Sequence, residues 1–316
     1  MVMIEQGPGS SDAAPWILDR HGRRMQGRDD SRRTSELRGG LARDERVYTS
    51  AVDASADEME RIVAILHERD YLDALRRVDF AEPTLMPQWA PPGLPADSPV
   101  WTDVVTTAFE GVRTAIAAAQ RIVAGACFSY AVCRPPGHHA GPAWMGGYCY
   151  LNTAAAAAQA LCDGDMGPVA ILDLDFHFPT GTSAVVEGMH DVSLHSLHAS
   201  TLENVPWRAV KEREDERFVN FDEAPNVESY LEALDGALNA IRRSSSVLVL
   251  SLGYDIVGGD PHGSWSLPPA IFARIGERLG HTGLPVCVVQ EGGYALESLA
   301  ECSHAFARGL LDGAET

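Results

Sequence analysis

The sequence predicts one α/β domain, built on a doubly wound and mainly parallel sheet with helices on both faces. Beyond residue 99, short apolar stretches alternate with longer stretches in which apolar residues recur at helical spacing, and this alternation is typical of β/α units. Stretches such as residues 286–289 are apolar at every position, as expected for strands covered by helices on both sides. All 316 residues are assigned to this single domain.

The N-terminal part is expected to be less regular. Residues 1–30 are polar and rich in arginine, and they should form an irregular segment, followed by a weak helical pattern near residues 31–41. Between residues 55 and 77 apolar side chains recur at helical spacing, which predicts one or two helices that begin with a capping box of Ser55 and Glu58. Residues 83–99 contain six prolines, so a loop is predicted there.

The remaining elements follow from the alternation of apolar and amphipathic stretches. In chain order they are helix 101–124, strand 127–132, helix 152–162, strand 168–174, strand 192–197, helix 227–243, strand 247–252, helix 268–279, strand 286–289 and helix 296–311.

Composition excludes several classes of function. The formal net charge of -19 opposes binding to phosphates, so nucleic acid is not expected as a partner. The six cysteines form no CxxC pair, which is typical of a protein in a reducing compartment. Neither a secretory leader nor an apolar run of membrane-spanning length is found, so a cytoplasmic protein without membrane contact is expected.

Polar residues that could bind a metal or transfer protons stand at the ends of four of the predicted strands. Such a residue alone is usually a cap or a packed ring, but the carboxyl ends of parallel strands share one edge of the sheet, where ligands bind in open α/β folds. The residues are His138 and His139 after strand 127–132, Asp173, Asp175 and His177 after strand 168–174, Asp255 after strand 247–252, and Tyr294 after strand 286–289.

Two carboxylates and one imidazole among these residues match a catalytic zinc site. Zinc accepts oxygen and nitrogen ligands, and a site of three protein ligands keeps a position open for water. A metal in such a site lowers the pKa of water from 15.7 to about 7 and polarises a carbonyl group, while a histidine moves protons. This chemistry is suited to the hydrolysis of an amide. Iron or cobalt could use the same ligands.

Five blocks of sequence surround these residues: RPPGHHAGPAWMGGYCYLN, ILDLDFHFPTGT, SLHA, SLGYDIVGGDP and QEGGY. In their residues and order they resemble the signature blocks of the zinc-dependent deacetylases, the family of histone deacetylases and acetylpolyamine amidohydrolases. This family has the arginase-deacetylase fold. The resemblance covers residues 31–311. The residues of the five blocks resemble those of the acetylpolyamine amidohydrolases more closely than those of the nuclear histone deacetylases.

The resemblance implies a role for each residue at the sheet edge. One zinc ion per chain would be bound by Asp175, His177 and Asp255, and Tyr294 would polarise the substrate carbonyl. His139 would act as general base and acid on a zinc-activated water, beside His138 and its partner Asp173. The family also binds a structural K⁺ or Na⁺. Its ligands would be Asp173, Asp175, His177, Ser196 and Leu197.

The same resemblance implies a set of substrate-binding residues. Gly147 and Tyr148 would form one wall of a tunnel for the acyl-bearing chain, and Val205 would stand on the opposite wall. Asp97 matches a carboxylate at the rim that grips the substrate. Arg33 matches an arginine that lines the inner pocket below the metal.

The chain also departs from the family pattern. After His177 the family usually has His-Gly-Asn or His-Gly-Asp, whereas this chain has Phe178-Pro179-Thr180. Thr180 therefore stands where an Asn or Asp normally orients the second histidine. Val205 stands where the family usually has an aromatic residue before a proline, so a tunnel of different shape is expected.

The favoured function is removal of an acetyl or similar short acyl group from an amine of a small molecule, such as an acetylpolyamine or an acetylated amino acid. Acetyl-lysine in a protein is the nearest alternative, because it differs in access to the rim and not in mechanism. A non-catalytic metal-binding module is a second alternative, and a binuclear manganese ureohydrolase a third. The sequence leaves the natural substrate and a homo-oligomer open.

Overall fold

The computed structural model describes residues 1–6 and 15–316. The described strands are β1 (Val2–Glu5), β2 (Trp16–Leu18), β3 (Arg24–Gln26), β4 (Tyr48–Ser50), β5 (Phe128–Val132), β6 (Val169–Asp173), β7 (Val192–Ala199), β8 (Glu216–Phe221), β9 (Val247–Leu252) and β10 (Val286–Gln290). The described α-helices are α1 (Arg32–Leu41), α2 (Ala56–Leu66), α3 (Arg69–Arg76), α4 (Thr102–Val123), α5 (Thr153–Asp163), α6 (Thr180–Val186), α7 (Val227–Ser244), α8 (Ile271–Gly280) and α9 (Leu296–Ala314).

Eight of these strands form one sheet in the order β4-β1-β5-β10-β9-β6-β7-β8. All the pairings described within it are parallel, which confirms the predicted fold class. The predicted strands coincide closely with β5, β6, β7, β9 and β10, because these buried strands carry the apolar runs that the pattern detects.

The two faces of the sheet support separate hydrophobic clusters. In β9, Val247 and Val249 belong to the cluster that includes side chains of α2, α3, α4 and α5. Leu248 and Leu250 alternate with them and belong to the cluster that includes side chains of α1, α7, α8 and α9. Alternation along a strand therefore explains why β9 is apolar at successive positions. Among the described helices, none combines the length and apolar character that a membrane crossing needs.

The N-terminal segment differs from the expectation of an irregular start. Val2–Glu5 is a strand of the central sheet, paired with both β4 and β5, and β2 and β3 form a separate antiparallel hairpin. Strands this short carry little periodicity, and the pairing of β1 with β5 joins residues far apart in the sequence. Residues 7–14 of the expected irregular segment lie outside the described residues.

Beyond residue 99, two further elements were not predicted. β8 is an edge strand with a charged sequence, and it extends the sheet beyond β7. Helix α6 begins at Thr180, directly after the segment that departs from the family pattern. Where helices were predicted between residues 55 and 77, the chain forms both α2 and α3, and the Ser55 side chain accepts a hydrogen bond from the backbone N–H of Glu58.

Candidate active site

The polar residues that follow β5, β6, β9 and β10 meet at one cavity at the carboxyl edge of the sheet. These strands are neighbours and parallel, so the segments that leave them lie side by side. The cavity has a volume of about 400 Å³. Its lining includes His138, His139, Asp175, His177, Asp255 and Tyr294.

Asp175, His177 and Asp255 form a group that can bind a metal ion. One ligand atom from each residue lies within 4.8 Å of the others. Nδ1 of His177 is 3.1 Å from Oδ1 of Asp175 and 3.3 Å from Oδ2 of Asp255. Within the described part of the chain, Oδ2 of Asp255 is buried and has no hydrogen-bond donor. Two carboxylates and one imidazole with an oxygen left unsatisfied fit a zinc ion.

Backbone N–H groups hold the two carboxylates in place. Oδ1 of Asp255 accepts the N–H of Phe176 at 3.0 Å, and Oδ2 of Asp175 accepts the N–H of Gly292 at 2.9 Å. Gly253 lies between the carboxylates, where an added Cβ would be 2.4 Å from Oδ2 of Asp175. A glycine is therefore required for the carboxylates to approach each other.

The pKa values of the two carboxyl groups are shifted in opposite directions. Burial and the neighbouring Asp175 raise the pKa of Asp255 to about 7. Burial also acts against ionisation of Asp175, but His138 and His177 outweigh it and hold the pKa of Asp175 well below its usual range. A bound cation would relieve the repulsion between the two groups.

His138 and His139 have opposite electrostatic surroundings although their ring centroids are only 4.1 Å apart. Burial alone would lower the pKa of His138, but Asp175 and Asp173 outweigh burial and raise it to about 10. Nδ1 of His138 lies 3.2 Å from Oδ2 of Asp173. For His139, burial and the charges of His138 and His177 lower the pKa well below the usual value. The surroundings therefore favour the charged form of His138 and the neutral form of His139.

Thr180 contacts His139 despite the changed sequence around it. Its Oγ1 atom lies 3.1 Å from Nδ1 of His139. The start of α6 is tied to the histidine turn, because the N–H groups of Gly181 and Thr182 both donate to the carbonyl of His138 at 3.0 Å. With Nδ1 facing the hydroxyl, Nε2 of His139 is left for a partner in the cavity.

Tyr294 lines the same cavity as the histidines, with 8% of its surface exposed. Burial raises its pKa well above the usual value, so the hydroxyl stays protonated. Arg33 lies beneath this ring, with its guanidinium carbon 4.5 Å from the ring centroid. Arg33 is only 1% exposed and donates to the carbonyl oxygens of Gly293 and Glu291. It therefore supports the tyrosine turn and the face of the ring that its guanidinium group covers.

Asp97, Gly147, Tyr148 and Val205 line the cavity. The carboxylate of Asp97 accepts the N–H of Gly147 at 3.1 Å, and burial raises the pKa of Asp97 to about 6. Gly147 has φ +57°, and an added Cβ would be 2.4 Å from Cδ2 of His139. Glycine therefore allows this wall to approach the histidine.

Ser196 and Leu197 are buried on β7 beside the metal-binding segment. The N–H of Ala199 donates to the carbonyl of Phe176 at 2.9 Å, which holds β7 next to residues 175–177. Oγ of Ser196 lies 2.9 Å from Nδ1 of His198.

Sequence reasoning missed three residues that shape the site. Glu291 accepts the N–H groups of Gly137 and His138 at 2.7 and 3.1 Å, and thereby supports the histidine turn. His262 lines the cavity with Nε2 3.0 Å from the hydroxyl of Tyr148. The carboxylate of Asp260 accepts the backbone N–H groups of both Tyr294 and His262. Glu291 lies in the block QEGGY and Asp260 in the block SLGYDIVGGDP, and His262 is the residue directly after the second block. Their position in or next to these blocks was the sequence signal that could have identified them.

Comparison with known proteins identifies relatives of this chain. The family model of the histone deacetylase domain matches residues 29–310. An acetylpolyamine amidohydrolase of Burkholderia pseudomallei (strain 1710b) is 37% identical over 223 residues, which are 67% of this chain and 64% of that protein. Acetylpolyamine amidohydrolase 1 of Pseudomonas aeruginosa is 35% identical over 214 residues, which are 64% of this chain and 61% of that protein. These alignments thus span less than two thirds of either relative.

A solved structure shows similarity over a longer range. The crystal structure of an acetylpolyamine aminohydrolase from Burkholderia pseudomallei superposes with a TM-score of 0.84 at 27% sequence identity. The superposition covers 98% of this chain and 98% of the other.

Proposed function

The chain belongs to the histone deacetylase family, and we propose that it is a zinc-dependent amidohydrolase that removes an acetyl or similar short acyl group from an amine of a small molecule. The observation that carries this proposal is the meeting of a three-ligand metal group with His139 and Tyr294 in one cavity. Those are the groups that hydrolysis of an amide requires.

Asp175, His177 and Asp255 would hold the zinc ion. The chemistry supplied by zinc in such a site is Lewis acidity, which polarises a carbonyl group and lowers the pKa of water towards neutrality. The buried, unsatisfied oxygen of Asp255 supports this assignment.

His139 would move the proton. Its lowered pKa keeps the ring neutral at pH 7, so it can take a proton from the attacking water and pass it to the leaving amine. The Thr180 hydroxyl faces Nδ1, which leaves Nε2 for this transfer. His138 would remain charged against Asp173 and add positive potential where negative charge develops.

Tyr294 would stabilise the oxygen of the carbonyl group. Its hydroxyl remains protonated because burial raises its pKa, so it can donate a hydrogen bond to an oxygen that gains negative charge. The turn that holds Tyr294 is fixed from several sides, and a donor placed in advance needs little reorganisation during the reaction.

The proposed substrate class is a small acetylated amine that also carries a free, positively charged amine. Asp97 and Glu203 contribute carboxylates to the lining together with one arginine, Arg20, whereas the carboxylate of Asp19 is paired with Arg23. An acidic entrance attracts cationic ligands. The names of the relatives from Burkholderia and Pseudomonas point in the same direction. Acetyl-lysine in a protein remains the alternative substrate.

We also propose a structural monovalent cation, K⁺ or Na⁺, close to the zinc position. Its ligands would come from Asp173, Asp175, His177, Ser196 and Leu197. The hydrogen bond between Ala199 and Phe176 supports this, because it holds the two contributing segments together.

The experiment that tests the function is a comparison of acetate release from acetylated polyamines, acetylated amino acids and acetyl-lysine peptides, with zinc content measured on the same protein. We expect one zinc ion per chain and the highest kcat/KM for an acetylated polyamine, with loss of activity on chelation and recovery with zinc. Bound zinc without acetate release from any substrate would favour the non-catalytic module. Preference for the peptides would favour the protein deacetylase.

A further inference from the structure

One buried carboxylate accepts hydrogen bonds from two separate segments of the site. Oδ1 of Asp260 accepts the N–H groups of His262 and Gly263 at 2.9 and 3.3 Å. Oδ2 accepts the N–H groups of Tyr294 and Ala295 at 2.6 and 3.1 Å. Asp260 is 6% exposed, so water competes little for these four bonds.

The two segments carry side chains that touch each other in the cavity. Residues 256–263 follow β9 and Asp255, and residues 291–295 follow β10. The rings of His262 and Tyr294 have centroids 4.8 Å apart and meet edge to face. Asp260 thus fixes the backbone at both members of a contacting pair.

The tyrosine turn is held at several points, and Asp260 provides the one at the N–H of Tyr294. Gly292 is held by Asp175, and the carbonyl of Gly293 is held by Arg33. The N–H of Tyr294 itself is bound by Asp260. Because the direction of the Cα–Cβ bond follows from the peptide groups on each side, the bond to Asp260 sets where the tyrosine ring can point.

We infer that Asp260 is a positioning residue that places the hydroxyl of Tyr294 over the reacting carbonyl group. It touches no substrate and acts through the tyrosine, so this inference rests on the proposed function. A carboxylate suits the task because it only accepts hydrogen bonds, and it can receive two N–H groups on each oxygen. An amide of the same shape offers one accepting oxygen, and its NH₂ group would face two N–H donors.

The test is a double-mutant cycle of Asp260→Asn and Tyr294→Phe in the full-length, zinc-loaded protein. A displacement of about 1 Å can cost on the order of 100-fold in rate, so we expect Asp260→Asn to lower kcat about 10- to 100-fold with little change in KM. In the Tyr294→Phe background the same substitution should cause almost no further loss. Equal losses in both backgrounds would overturn the inference.

A second readout does not depend on activity. In protein labelled with 3-fluorotyrosine, the ¹⁹F resonance of residue 294, assigned from its loss in Tyr294→Phe, should shift or broaden in Asp260→Asn. Asp44→Asn is the matched control, because Asp44 also accepts a backbone N–H but is not part of the cavity lining. It should change neither kcat nor the resonance.

An unchanged resonance in Asp260→Asn would overturn the inference whether or not the wild type releases acetate. A shifted resonance in a protein that releases no acetate would mean that the proposed function alone has failed. If Asp260→Asn does not fold, the same two readouts on Asp260→Ser decide the matter.

Discussion

Oγ1 of Thr180 lies 3.1 Å from Nδ1 of His139, so the orientation of this histidine depends on a neutral hydroxyl group. A hydroxyl can accept the N–H of the ring but can also turn to donate elsewhere. The strength of this contact therefore bears directly on proton transfer by His139.

Thr180→Val removes the hydroxyl and keeps the shape of the side chain. A buried N–H that loses its acceptor costs about 1–3 kcal/mol, so we expect kcat to fall about 5- to 150-fold. Thr180→Ser keeps a hydroxyl and should retain most of the rate. Equal rates for Thr180→Val and the wild type in an acetate-release assay would mean that another group orients His139.

Asp255→Asn replaces a proposed zinc ligand by an amide of the same size. With only three protein ligands, loss of one should remove zinc and activity together. Elemental analysis and acetate release measure the two effects on the same sample. Asp163→Asn, a substitution of a surface carboxylate that pairs with Arg61, should leave both unchanged. A full complement of zinc in Asp255→Asn would contradict the ligand assignment.

Tyr294→Phe removes the hydroxyl proposed to stabilise the oxygen of the carbonyl group. Loss of one such donor usually lowers kcat by about two to three orders of magnitude. Because the ring and its packing remain, zinc content and the melting temperature should stay as in the wild type. A change confined to KM would instead indicate a role in substrate binding alone.

Glu203→Gln neutralises a carboxylate at the cavity entrance without changing its size. An exposed ion pair contributes about 0.2–1 kcal/mol, so KM for N-acetylputrescine should rise by up to about fivefold. N-pentylacetamide, which lacks the second amine, is the matched substrate and should show no change. The same rise in KM for both compounds would argue against recognition of the free, charged amine by Glu203.

His67 provides a prediction about stability and pH. It is 4% exposed, donates from Nδ1 to the carbonyl of Gly141 at 2.8 Å, and accepts at Nε2 the N–H of Asn152 at 3.1 Å. The N–H of Asn152 requires the neutral ring, because a protonated ring has no acceptor nitrogen, and burial lowers the pKa of His67 to about 4.

The unfolded chain takes up a proton at His67 near pH 6.5, whereas the folded chain does so only near pH 4. This contribution to the free energy of unfolding is therefore fully present above about pH 6.5 and is lost as the pH falls, by about 3 kcal/mol in total. In urea unfolding between pH 4 and 7, His67→Gln should show a shallower loss of stability than the wild type. Parallel pH profiles would refute the assignment.

The sequence by itself determined the central strands and the residues at their ends. β9 and β10 are apolar because they are buried on both faces, and burial leaves a pattern that can be read locally. Asp175, His177 and Asp255 follow such strands directly, so the common edge of a parallel sheet predicts that they lie together.

Only the tertiary structure decided which distant groups share a hydrogen bond. β1 is a strand because β4 and β5 pair with it on either side, and four residues carry no period of their own. Asp260 binds the N–H of Tyr294 across 34 positions of sequence, and Arg33 reaches Gly293 across 260. These contacts depend on how loops pack once the sheet has formed. The identity of a residue does not show which distant residue it will contact.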